Sequence, residues 1–234
     1  MSALTVIGFD ADDTLWHNER VFRLIEDRFA ALLGEHAPAE DISRRLLAAE
    51  RRNLELYGYG IKGFTLSMIE TALEVTEDRA SAAAIREILD AGRDMMRHPV
   101  EIFPGVRETL EALRDAYRLV VITKGDLFDQ ERKLAASGLG ELFDAVEIVS
   151  DKNAATYRRL FSRHGAGAES AMMIGNSVKS DILPAIEAGS WGVHVPYRIT
   201  WALEHAEAPV DHPRFKRVTH LREIATLLAE IAAR

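Results

Sequence analysis

Val6-Ile7-Gly8-Phe9-Asp10-Ala11-Asp12-Asp13-Thr14-Leu15 joins an apolar run to a cluster of acids. The run from Val6 to Phe9 reads as a buried strand. Asp10 and Asp12 then stand in the loop at its carboxyl end, where open parallel sheets place their ligands. The ordinary alternative is a turn, because Asp after a strand bonds its own backbone. The remainder of the chain decides between the two.

With 234 residues, the chain fits one domain with a large insertion, or one large and one small domain. Apolar residues make up 47% and charged residues 28%, ordinary for a soluble globular protein with a substantial core. The net charge of -8, with no block of consecutive basic residues, argues against nucleic acid as a partner. An anionic substrate would need locally placed cations or a metal. The absence of cysteine removes disulfides, thiolate metal sites and thiol nucleophiles together. No basic region leads into a long apolar stretch at the amino terminus, and no run reaches about 18 apolar residues. The expectation is a cytoplasmic enzyme with neither signal peptide nor membrane span.

Residues 17 to 98 have a helical rhythm. Val21, Leu24, Ile25, Phe29, Leu32 and Leu33 recur at helical spacing with Gly34 as a stop, and Pro38 precedes a second pattern through Ile42, Leu46, Leu47 and Leu54. Two more helices are predicted over 64–75 and 81–96, and Pro99 closes the block. From Phe103 strands and helices alternate. Strands are predicted at 119–122, 145–149, 171–174 and 191–195, with helices at 105–114, 127–137, 154–164 and 178–188 and a last helix from Leu221. A possible edge strand lies near Val218. Such alternation argues for a parallel sheet wrapped by helices. The division expected is therefore a Rossmann-like α/β core, residues 1–16 and 99–234, with an all-helical insertion at 17–98.

Each main strand ends in polar residues. Phe9 leads to Asp10 and Asp12; Ile122 leads to Thr123-Lys124-Gly125-Asp126; Val149 leads to Ser150-Asp151-Lys152; Ile174 leads to Gly175-Asn176-Ser177, with Asp181 one helical turn on. Any one of these groups reads equally well as turn chemistry or a helix cap. In a parallel sheet, however, all four lie on one edge and make a single site.

Asp10, Asp12 and Asp181 would crowd together there, and like charges about 4 Å apart repel by roughly 4 kcal/mol at an effective dielectric near 20. Something positive must join them. Oxygen donors without His or Cys suit Mg2+ better than zinc. Lys152 adds a cation and Thr123 a hydroxyl, both suited to phosphate oxygens. Asp10, kept ionised, can attack phosphorus to give an aspartyl-phosphate. Asp12 can protonate the leaving alcohol and later take a proton from water.

The pattern resembles the haloacid dehalogenase superfamily along essentially the whole chain. Asp10-x-Asp12-x-Thr14 is similar to its first motif, Thr123 to its second, Lys152 to its third, and Gly175-Asn176-Ser177 with Asp181 to its fourth. The resemblance implies a Rossmann-like core, a mobile helical cap after the first motif, Mg2+ dependence and phosphatase chemistry. Members that cleave carbon-halogen bonds lack the acid at the position of Asp12, so the resemblance implies phosphoester hydrolysis. Asp10, Asp12, Asp181 and Asn176 are the implied metal residues, with Asn176 acting through its amide oxygen or a coordinated water. Three residues depart from the family's habit: Asn176 replaces a common Asp, Asp13 a common Gly, and Asn153 a common Pro. Lys124, beside Thr123, rivals Lys152 as the phosphate lysine. Transfer within a phosphosugar, as in mutases of the family, and a binding protein that has lost turnover are the competing readings.

Gly58-Tyr59-Gly60-Ile61-Lys62-Gly63 has the letters of a dinucleotide fingerprint, but no strand leads into it. It reads instead as a flexible loop between helices of the insertion. On that basis Tyr57, Tyr59, Lys62 and Phe64 are candidates for substrate selection, with Tyr59 and Lys62 foremost. Trp16 is read as lining the entrance or packing under the insertion. The expected partner is a small phosphorylated metabolite, with no nucleic acid and no membrane, and the expected state is a monomer or homodimer.

Overall fold

The structure, a computed structural model, describes residues 4–233. Six strands, β1 (Val6–Phe9), β2 (Arg118–Lys124), β3 (Ala145–Val149), β4 (Ala171–Gly175), β5 (Trp191–His194) and β6 (Phe215–Arg217), form one sheet in the order β3-β2-β1-β4-β5-β6. Every pairing is parallel. The central strands are continuous apolar runs because both faces of the sheet are covered.

Successive strand residues turn to opposite faces. Ile7, Phe9, Leu119, Val121, Met172 and Ile174 pack on one side, against α5 (Val106–Leu113) and α9 (Ile224–Ala232). Val6, Val120, Ile122, Ala171 and Met173 pack on the other, against Tyr157, Leu160 and Phe161 of α7 (Ala154–His164). Burying one such side chain is worth roughly 1.5–3 kcal/mol. The two layers therefore hold the strand ends firmly.

The chain winds outward in both directions from β1, with β2 on one side and β4 on the other. That reversal is the topological switch point, and it opens a crevice beyond the carboxyl end of β1. Asp10 is the first residue beyond that end.

The chain divides into two compact units. Asn18–Pro99 joins Gly125–Glu131 in the helical unit, and the rest belongs to the sheet unit. Helices α1 (Glu19–Leu32), α2 (Ala39–Tyr57), α3 (Ile61–Val75) and α4 (Ala82–Arg97) enclose a core of their own around Ile25, Phe29, Ile42, Leu46, Met68, Ile88 and Met95. Ser81 starts α4 by accepting a hydrogen bond from the Ala84 amide at 3.1 Å.

Two local expectations need correction. The loop expected over 58–63 is confined to 58–60, and α3 begins at Ile61 rather than near Phe64. Gly60 makes the short break possible: its φ is 108°, and a Cβ there would meet the Asp126 amide nitrogen at 3.0 Å. The helix expected over 178–188 is a π-helical turn, Val178–Ile182, followed by α8 (Leu183–Glu187). Pro184 has no N–H to give to the carbonyl of Ser180, and the Tyr157 hydroxyl donates to that carbonyl instead, at 3.0 Å. The edge strand expected near Val218 is β6, which ends at Arg217.

Candidate active site

Asp10 extends the β1–β4 ladder, its amide donating to the Ile174 carbonyl at 2.9 Å. Its carboxylate accepts from Lys152 Nζ at 2.5 Å and faces Thr14 Oγ1 at 3.2 Å. The same ammonium donates to Asp181 Oδ1 at 2.7 Å, and the Ser177 amide holds Asp181 Oδ2 at 2.9 Å. Gly175 has to be glycine here, since a Cβ would fall on the Asp181 carboxylate. Three of the four strand-end groups thus converge, and Asp10, Lys152 and Asp181 are all buried.

Two buried carboxylates share one ammonium, which leaves an excess negative charge. Burial, and then the charge of Asp181, push the Asp10 carboxyl up to about 7 against the opposing pull of Lys152. Lys152 is held charged: burial works against its ammonium, but the two carboxylates outweigh it. The group therefore carries an excess negative charge whenever both carboxylates are ionised.

The turn after β1 arranges the next residues. Asp13 adopts φ 60°, the left-handed conformation in which glycine is most at ease and Asp is tolerated, and its amide donates to the Trp16 carbonyl at 2.8 Å. Asp13 thereby does the backbone work of the glycine it replaces. Thr14 bridges two motifs: its hydroxyl oxygen accepts from the Asn176 amide at 3.0 Å and lies 3.3 Å from Asn176 Oδ1. Asn153, in place of the common proline, caps α7 by accepting from the Thr156 amide at 2.9 Å.

The Asp12 carboxylate is gripped by Lys133 Nζ, at 2.7 and 2.8 Å to its two oxygens, and by Trp16 Nε1 at 2.8 Å. Trp16 is 1% exposed and packs in the core of the sheet unit rather than lining an entrance. Lys133 was not foreseen. Its signal is faint but present: on α6 (Leu127–Ser137) the polar residues Asp129, Gln130, Lys133 and Ser137 are buried while Leu127 and Phe128 are exposed.

Thr123 is buried near the end of β2, in register with Ile148 of β3. Lys124, next along, donates to Glu204 Oε1 at 2.7 Å and to Ser180 Oγ at 2.8 Å, whereas Lys152 is the lysine bonded to Asp10. Glu204 is a second residue that sequence reasoning missed. Tyr59 lies in the 58–60 break, and Lys62, in the first turn of α3, pairs with Asp126 at 2.9 Å within the helical unit.

Among the described residues, no three His, Asp or Glu side chains stand together as a ready metal cage. The donors beside Lys152 are the carboxylates of Asp10 and Asp181, with the Asn176 amide oxygen tied to Asp10 through Thr14. An all-oxygen set carrying excess negative charge fits a hard divalent cation.

A family profile described as haloacid dehalogenase-like hydrolase matches residues 4–189. A glyceraldehyde 3-phosphate phosphatase of Methanothermobacter thermautotrophicus is 32% identical over 131 residues, 52% of this chain and 58% of that protein. The chain therefore spans little more than half of that relative. A haloacid dehalogenase-like family hydrolase from Xanthomonas campestris superposes with a TM-score of 0.88 at 43% identity, covering 99% of this chain and 94% of the other. The HAD-hydrolase YfnB from Bacillus subtilis, bound to magnesium, shares the fold with a TM-score of 0.65 at 18% identity, covering 97% and 99%.

Proposed function

The chain belongs to the haloacid dehalogenase-like hydrolases, and from that premise we propose that it is a Mg2+-dependent phosphatase of a small phosphate monoester, working through an aspartyl-phosphate on Asp10. The observation that carries this reading is the buried triad of Asp10, Lys152 and Asp181, two carboxylates on one ammonium, at the sheet's switch point. Asp10, Asp12, Asp181 and Asn176 would hold the metal. Bound Mg2+ supplies charge neutralisation at the phosphoryl oxygens.

The chain's own residues divide the rest of the work. Lys152 aims Asp10 and keeps a fixed positive charge beside the attacking oxygen. Attack of that oxygen on phosphorus forms the Asp10–phosphate bond and breaks the bond to the alcohol oxygen. Asp12, which must carry a proton when the ester binds, gives it to the departing alcohol and later takes one from the water that releases phosphate. Thr123 offers its hydroxyl to the phosphoryl oxygens. Tyr59 and Lys62 are assigned to substrate selection.

The relative that acts on glyceraldehyde 3-phosphate makes that ester the first to try in a screen of phosphorylated metabolites. Mg2+-dependent release of phosphate from an aryl phosphate is the primary test. Folded protein that releases none at any Mg2+ concentration would refute the reading. Phosphate that moves within a sugar rather than to water would point to a mutase.

A further inference from the structure

The connection from Val195 to Arg214 joins two adjacent parallel strands, β5 and β6, without the helix that such a crossover usually carries. It holds one short 3-10 turn, Ala202–Glu204, and exceeds the ~12–15 residues beyond which irregular connections are usually functional. It is tied down along the sheet unit. Tyr197 Oη bonds His17 Nδ1 at 2.9 Å, Lys179 Nζ donates to the Leu203 carbonyl at 2.6 Å, and Glu204 closes the series.

Glu204 sits in a set of donors that no catalytic step above employs. Lys124 Nζ reaches Oε1 at 2.7 Å, while the hydroxyls of Ser177 and Ser180 donate to Oε2 at 2.6 and 2.5 Å. These donors adjoin the catalytic group directly. Lys124 follows Thr123, and Ser177 holds Asp181 with its amide while it holds Glu204 with its hydroxyl. Asp181, Asp10 and Glu204 all lie close enough to reinforce the upward push that burial gives the Tyr157 phenol. An ammonium and two hydroxyls converging on a carboxylate make an anion-binding pocket.

We propose that Lys124, Ser177 and Ser180 form an anion subsite beside the phosphoryl site, filled by Glu204 as a built-in carboxylate. The enzyme then accepts phosphate monoesters of uncharged alcohols and turns away those whose leaving group carries a carboxylate. Discrimination of this kind works by repulsion and by denying the competing anion its donors. The specificity role rests on the phosphatase reading; the anion pocket itself does not.

Two measurements separate these. Acetate needs no turnover: it should raise the melting temperature of Glu204→Ala well beyond its effect on the wild type, and Lys124→Met in the same background should remove the gain. No added acetate response in Glu204→Ala overturns the subsite, whatever the protein does with esters. The second measurement is the ratio of kcat/KM for ethyl phosphate to that for 2-phosphoglycolate. The wild type should favour ethyl phosphate, and Glu204→Ala should shift the ratio about tenfold or more towards phosphoglycolate. An unmoved ratio, with both esters turned over, overturns the specificity role. Should Glu204→Ala fail to fold, Glu204→Gln, which keeps the size and drops the charge, carries the ratio measurement. Absence of any phosphate release by the wild type refutes the phosphatase reading, while the acetate response still decides the pocket.

Discussion

Lys133 holds both carboxylate oxygens of Asp12, at 2.7 and 2.8 Å, from a helix 121 residues further along the chain. With Trp16 Nε1 at 2.8 Å on one of the same oxygens, it fixes the direction in which Asp12 points. Misplacing a proton-transfer group by about 1 Å can cost on the order of 100-fold in rate. Lys133→Met should therefore lower kcat for an aryl phosphate by about 10- to 100-fold with little change in KM, and Lys133→Arg should recover part of it. Steady-state kinetics of the two variants check this. A rise in KM alone would make Lys133 a binding residue instead.

Asp10 also makes the response to metal depend on pH. Its carboxyl is pushed from the ordinary 3.8 up to about 7, so folding favours the protonated form in the metal-free protein. That contribution is fully present below about pH 4 and is lost as pH rises towards 7. The proposed Mg2+ would bond the ionised form, so its stabilising effect should grow between pH 5 and 7 and level off above. Melting curves with and without a fixed, subsaturating Mg2+ concentration check this, with Asp10→Asn as the control whose response should be nearly flat. An equal Mg2+ shift at pH 5 and pH 8 in the wild type would contradict the argument.

The π-helical turn after β4 depends on a distant hydroxyl. Tyr157 Oη satisfies the Ser180 carbonyl that Pro184 leaves without its helical donor, and Tyr157 is fully buried. Tyr157→Phe keeps the ring packing and leaves that carbonyl unpaired, which costs about 1–3 kcal/mol. Urea denaturation should show the loss as a lower midpoint with an unchanged slope. No change in midpoint would mean that the carbonyl finds another donor.

What was legible in the sequence, and what was not, follows from the range of the forces involved. The strand-to-acid passage at Phe9-Asp10, and the convergence of Lys152 and Asp181 on it, were legible because a parallel sheet sends every strand end to one edge. Sequence periodicity is blind to a buried polar contact between a helix and a loop, and so Lys133 escaped. Glu204 escaped because an irregular connection has no period from which to place a side chain. The end of the 58–60 break was misplaced because the close approach of Gly60 to Asp126 joins segments far apart in the chain. Asp13, a surplus acid in the sequence, acquires its role only through a backbone angle.

The unequal roles proposed for the two acids at β1 give the sharpest test. Asp10 lies within 2.5 Å of Lys152, whereas Asp12 is held by Lys133 and Trp16. Asp10→Asn removes the nucleophile while its amide oxygen can still accept from Lys152, and so turnover should vanish with the fold intact. Asp12→Asn leaves the nucleophile in place but cannot move a proton. It should allow slow phosphorylation of Asp10 and block release, so that phosphorylated protein accumulates after mixing with an aryl phosphate, whose leaving group needs little protonation. Intact-mass spectrometry after rapid quench reads the phosphorylated species directly. Accumulation in the Asp10→Asn protein, or wild-type turnover by it, would place the nucleophile elsewhere. Unimpaired release by Asp12→Asn would take the proton-transfer role from Asp12 and leave Lys133 to explain its grip on that carboxylate some other way.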